Sequence, residues 1–84
     1  MADDSIRFRP GVYRHYKGNE YDVLMLATHS ESLDELVVYR ARYGAHGIWV
    51  RPVEMFFDNV EYGGVEVERF SYLREFDSNS DNSL

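Results

Sequence analysis

Tyr13, His15, Tyr39, Trp49 and Arg51 are of the types that hold flat or anionic ligands. Aromatic rings stack on planar groups, and a guanidinium offers a planar fork of donors to a carboxylate or phosphate. The five residues come in two clusters. In Tyr13-Arg14-His15-Tyr16-Lys17, strand alternation puts Tyr13 and His15 on one face and Val12, Arg14 and Tyr16 on the other. In the stretch 36–56, LVVYRARYGAHGIWVRPVEMF, two apolar runs flank a glycine-containing turn and a proline ends the second run. A hairpin there lets Tyr39 and Trp49 share a face, with Arg51 beside Trp49 on its own strand. Arg14, Lys17 and Arg40 are secondary basic candidates. The plainer reading is that one face of each strand is core, with Trp49 its largest member and Arg51 paired to Glu54 or Glu31.

Other chemistries find less support. His15, His29 and His46 match no local metal-ligand spacing, and the chain has no cysteine, so no metal site is expected. His29 with Glu31 or Glu54 has the types needed for acid–base catalysis, but nothing in the sequence makes them converge. There is no phosphate-binding glycine loop and no nucleophile elbow. No cofactor is expected, and the balance is against an enzyme. A small enzyme or ligand sensor using His15 or His29 in a cleft stays open as an alternative.

The elements that must position these residues are mostly strands. Pro10-Gly11 marks a turn, and Val12 to Tyr16 reads as a short strand. Lys17-Gly18-Asn19 forms the next turn, where Gly18 or Asn19 can take a positive φ, and Tyr21 to Thr28 is the return strand of a hairpin. That strand is apolar on both parities, as in a strand buried on both faces or one that bends. His29 to Glu35 is polar; Ser32 and Glu35 fit a capping box, but Leu36-Val37-Val38-Tyr39 favours a sheet, so a loop and a strand from about Glu35 to Arg42 are expected. Tyr43 to Gly47 makes the hairpin turn with two glycines, and Ile48 to Arg51 the strand that Pro52 ends. Val53, Phe56 and Val60 lie on one face of a short helical or 3-10 segment. Gly63-Gly64 is a turn, and Arg69 to Leu73 the last strand. Five short strands with one helical turn before the last suggest an all-β, strongly bent small barrel.

The totals bound the rest. Eighty-four residues make one domain with a thin core. Residues 1–10 read as a flexible arm, 11–76 as the domain, and 77–84, DSNSDNSL, as a disordered acidic tail. No apolar run reaches the ~20 residues that span a bilayer, and the acidic start is unlike a signal peptide, so a cytoplasmic setting and no membrane partner are expected. The net charge is −6, which disfavours RNA or single-stranded nucleic acid as partner. The sign is uneven, however: residues 7–51 carry seven Arg or Lys against five Asp or Glu, while residues 52–84 carry two against eight. A local basic face built from the first half therefore keeps the nucleic-acid alternative open.

The motifs Tyr13-Arg14-His15-Tyr16-Lys17-Gly18, Ala27 with His29-Ser30-Glu31, Val37-Val38-Tyr39-Arg40, Tyr43-Gly44, Trp49-Val50-Arg51-Pro52 with Met55-Phe56, and Arg69-Phe70 occur in that order. Together they resemble a small bacterial domain-of-unknown-function family, number sixteen fifty-three, over about Gly11 to Phe70. Asp58 and Glu68 depart from its pattern, which has Glu at the first position and commonly Pro at the second. The resemblance implies a compact SH3-like five-stranded barrel in a bacterial cytoplasmic protein, with no established activity, cofactor or catalytic residue. SH3-like barrels often use aromatic grooves for peptides, an analogy at the level of fold alone. The resulting expectation is a binding or interaction module whose surface of Tyr13, His15, Tyr39, Trp49 and Arg51 takes a protein, a peptide or a small anionic molecule.

Overall fold

The computed structural model describes residues 8–76. The strands are β1 (Gly11–His15), β2 (Glu20–Thr28), β3 (Glu35–Ala41), β4 (Ile48–Pro52), β5 (Asn59–Tyr62), β6 (Val65–Glu68) and β7 (Phe70–Arg74), with one helical turn, α1 (Val53–Phe56), after β4. Five of them form one antiparallel sheet in the order β4-β3-β2-β1-β7, and β5 and β6 pair separately. The expected all-β class, its meander of four strands and its last strand after a helical turn are all present. The expected barrel is not closed: among the described residues β4 and β7 are the two edges of an open sheet.

The β5–β6 hairpin goes beyond the five expected strands. Its turn is Gly63-Gly64, with φ of 62° and 82°. Successive left-handed residues make the two-residue turn whose twist matches a hairpin, so the flanking residues enter a ladder. Val60 therefore pairs with Val67 instead of extending the helical face of Val53 and Phe56.

A bulge explains the double apolar parity of β2. The register slips between Val23 and Met25. Before the bulge Val23 points into the core opposite Tyr39; after it Leu26, opposite Val37, packs there and Met25 turns outward. One extra residue thus exchanges the faces of a single strand.

The core lies between the inner face of the sheet and α1. Tyr13, Val23, Val37, Tyr39 and Phe70 come from strands, and Val53, Phe56 and Phe57 cover them. Phe56 stacks on Phe70 with centroids 4.0 Å apart and planes 5° apart. Phe8, from the segment expected to be an arm, packs against this cluster. Residues 1–7 of that arm and the tail 77–84 lie outside the described residues. No helix among the described residues is long and apolar enough to cross a membrane.

Candidate functional site

Strand register gathers the candidate residues on the inner face. Tyr13 lies opposite Tyr21, His15 opposite Phe70, and Tyr39 opposite Trp49, with Arg51 two residues further along β4. The face divides into two zones. Where α1 covers it, Tyr13 and Tyr39 are core residues, 3% and 6% exposed. Tyr13 meets Phe56, Phe57 and Tyr72 edge-on, and Tyr39 meets Tyr21, Phe56 and Phe70. Their rings form a floor packed beneath the helix. Beyond the cover, Trp49 on the edge strand is 58% exposed, and His15 and Arg51 are half-buried.

The uncovered zone is an aromatic rim around a cation. The Arg51 guanidinium carbon sits 5.8 Å from the centroid of the Phe70 ring. Its Nε is buried without a hydrogen-bond partner, and no carboxylate among the described residues pairs with it, Glu54 and Glu31 included. The His15 ring lies edge-on to Phe70 at 5.0 Å and against Tyr16 at 4.5 Å. Tyr21 joins His15, Phe70 and Tyr39, and its hydroxyl is 3.0 Å from that of Tyr43.

Electrostatics follow from this packing. Burial, then the charges of Arg51, Arg69 and Lys17, hold the His15 imidazole below its ordinary pKa. The Lys17 backbone N–H donates to His15 Nδ1 at 3.2 Å, so the neutral ring carries its proton on Nε2. Burial, then the hydrogen bond with Tyr43, pushes Tyr21 up to about 12. Asp58 is engaged elsewhere: Arg69 Nε and Nη2 donate to its two oxygens at 2.7 and 3.1 Å, which lowers its pKa. Arg69 is thus hydrogen-bonded to Asp58, while Arg51 feels the same carboxylate only through its charge, without a hydrogen bond.

The secondary basic candidates divide. Lys17 acts on His15 from the β1–β2 turn, with its Nζ 5.8 Å from the Tyr16 ring. Arg14 and Arg40 have the opposite strand parity to Tyr13 and Tyr39 and lie on the outer face. His29 is at the far end of β2, where its Nδ1 accepts the backbone N–H groups of Glu31 and Ser32 and shapes the β2–β3 loop. His46 sits in the β3–β4 turn at φ 59°. Among the described residues no three His, Cys, Asp or Glu come together to hold a metal.

Tyr21, Tyr43 and Phe70 were not among the sequence candidates. Tyr21 had a local signal, since the turn at Gly18 pairs it with Tyr13. Phe70 had none, because its place depends on β7 crossing back to β1. A cavity of about 230 Å³ is lined by Arg9, Tyr13, Phe57, Glu68, Phe70 and Tyr72, so Tyr13 is the sequence candidate that borders it, with the Arg9 guanidinium 4.0 Å from the centroid of Tyr72.

The family model described as a protein of unknown function, DUF1653, matches residues 11–72. No curated protein matches the chain. A crystal structure of a DUF1653 protein from Bordetella bronchiseptica is similar at 38% identity, with a TM-score of 0.76, covering 83% of this chain and 92% of that one. By this match over most of its length and this likeness in fold, the chain belongs to the DUF1653 family.

Proposed function

We propose that the domain is a binding module whose uncovered inner face takes the anionic group of a small molecule or peptide. The observation that carries this reading is Arg51, a half-buried guanidinium over an aromatic ring with no carboxylate in contact among the described residues and an unpartnered Nε. A buried donor without a partner costs free energy, and an incoming oxygen acceptor removes that cost. His15 Nε2–H adds a neutral donor, Trp49 and Tyr21 supply apolar walls, and Lys17 adds long-range attraction. Tyr13 and Tyr39 serve as the floor that fixes the rim. In this reading the module works in the bacterial cytoplasm; the solved family member is bacterial, and fractionation of a tagged chain checks the compartment.

The test is a side-chain NMR titration with inorganic phosphate, acetate and a short acidic peptide. Shifts are expected at Arg51 Nε and His15, and bound anion is expected to raise the His15 pKa. Arg51→Met keeps an apolar stem against Phe70 and is expected to weaken binding at least about tenfold, the loss of one charge-assisted hydrogen bond. No shift at either residue with any of the three anions rejects the site. Binding of a short RNA in preference to all three, with a steep salt dependence, replaces this reading by a nucleic-acid one.

A further inference from the structure

The edge strand β4 carries a second recognition feature, and it does not rest on the anion site. Ala41 N–H donates to Gly47 O at 3.0 Å, and Tyr39 and Val37 lie opposite Trp49 and Arg51. Antiparallel ladders alternate, so Trp49 and Arg51 direct their backbone groups toward β3. The bond from Arg42 N–H to Glu20 O agrees, since it turns the even-numbered residues of β3 toward β2. The N–H and C=O groups of Ile48 and Val50 therefore point out of the sheet, with no strand beyond them among the described residues.

The side chains around those groups are apolar on both faces. Ile48, Trp49 and Val50 are 58%, 58% and 56% exposed. On the outer face the pairing Met25–Val38–Val50 carries an apolar stripe to the edge, and Met25 is itself exposed. Open edges are ordinarily guarded by a lysine, a bulge or a proline within the strand. Here Pro52 stands only at the end of β4, and Ile48 to Val50 has no guard.

We infer that β4 pairs antiparallel with β4 of a second copy of this chain, about a two-fold axis through Trp49, joining the two sheets. The register follows from the available groups. Centred on Trp49, Ile48 lies opposite Val50 of the second copy and the reverse, and every free donor meets a free acceptor. Centred on Val50, Ile48 faces Pro52, which has no N–H, and its carbonyl is left unpaired. Centred on Ile48, Val50 faces His46, whose N–H is already donated to Tyr43 O. Only the first register satisfies the edge. It sets the two Trp49 side chains side by side as a non-hydrogen-bonded pair, the closer kind, and Ile48 against Val50 on the other face. It also puts Arg51 opposite Gly47, which keeps the two guanidinium groups apart. A contact confined to the three residues Ile48 to Val50 of each copy falls below the roughly 1,200–2,000 Å² of standard stable interfaces, so the dimer is a weak one that forms at high concentration.

Analytical ultracentrifugation from about 10 μM to about 1 mM, the range in which weak association is read, tests the inference together with amide hydrogen exchange. A concentration-dependent dimer is expected, with the Ile48 and Val50 amides protected only at the high end. Ile48→Lys, at an exposed position, is expected to stay monomeric throughout, with an unchanged circular dichroism spectrum. A wild-type chain that is monomeric at the highest concentration overturns the inference, as does a dimer that Ile48→Lys leaves intact or one that leaves those two amides unprotected. Arg51→Met is expected to dimerise like wild type, which separates a failure of this interface from a failure of the anion site.

Discussion

At the scale of single residues, the useful contrast is between Arg51 and Arg69. Both are partly buried cations beside Phe70 or its strand, but Arg69 is held in a two-point ion pair with Asp58, whereas Arg51 feels that carboxylate only at longer range and contacts none among the described residues. The proposed anion site rests on that difference in pairing, not on the mere presence of a cation. The sequence told the residue type but not the partner: Glu54 and Glu31 are close in sequence to β4 or in charge pattern, and neither reaches Arg51. His15 gives a prediction at this scale. Its folded pKa lies below 6.5, so as pH falls through 6.5 the unfolded chain takes up a proton that the folded chain resists. The penalty is absent above that pH, grows as pH falls toward the folded pKa, and levels off below it. Urea midpoints measured between about pH 8 and pH 5, which bracket the ordinary imidazole range, are expected to fall with pH in wild type. The fall should be shallower in His15→Gln; an unchanged slope in that variant would show that His15 is not its source.

At the scale of elements, local pairing was legible and distant pairing was not. The strands flanking the turns at Gly18 and at 42–47 follow from periodicity and turn chemistry, because the partners are adjacent in the chain. The Val23–Met25 bulge left a trace, two apolar parities in one strand, but that trace fits a doubly buried strand equally well. The β5–β6 hairpin was half legible: Gly63-Gly64 announced a turn, while Glu61, Glu66 and Glu68 obscured the strands on either side. In the β3–β4 turn Gly44 takes a left-handed φ of 60° as a glycine should, but the second such position is His46 rather than Gly47. The junction of β1 with β7 gives the prediction here. Gly11 has φ +152°, and a Cβ on it would lie 2.6 Å from Arg74 O and 2.9 Å from Tyr72 Cε1. Gly11→Ala is expected to cost about 2–4 kcal/mol from strain and overpacking. Gly18→Ala, at positive φ but in open space, is expected to cost only about 1 kcal/mol. Chemical denaturation compares the two; equal losses would mean that backbone strain, not the contact with β7, governs Gly11.

At the scale of the molecule, the fold is an open sheet with one face roofed by α1 and the other carrying an apolar stripe to a bare edge. The class and most strands were visible in advance because patterning and turns are local properties. That Tyr13 and Tyr39 are roofed while Trp49 is not could not be read from them, since all three share a parity and only the path of α1 separates them. Phe70 belongs to this scale. It lies against Phe56, Tyr39, Tyr21 and His15, four rings from three earlier strands and the helix. Phe70→Ala is expected to cost about 3–5 kcal/mol, enough to unfold a domain this small. Calorimetry checks this, and a loss below about 1 kcal/mol, the scale of an exposed position, would mean the stack adds little. The same side chain also sets an order of events. β7 is the last of the described strands in chain order, yet it pairs with the first of them and fills the centre of the aromatic cluster. On the ribosome the hairpins β1–β2 and β3–β4 can form as they emerge, but the core has no Phe70 until β7 has followed them out. Until then the strand edge of β1 that β7 will cover and the face of Phe56 stand open to water, and the nascent domain waits on its own last strand.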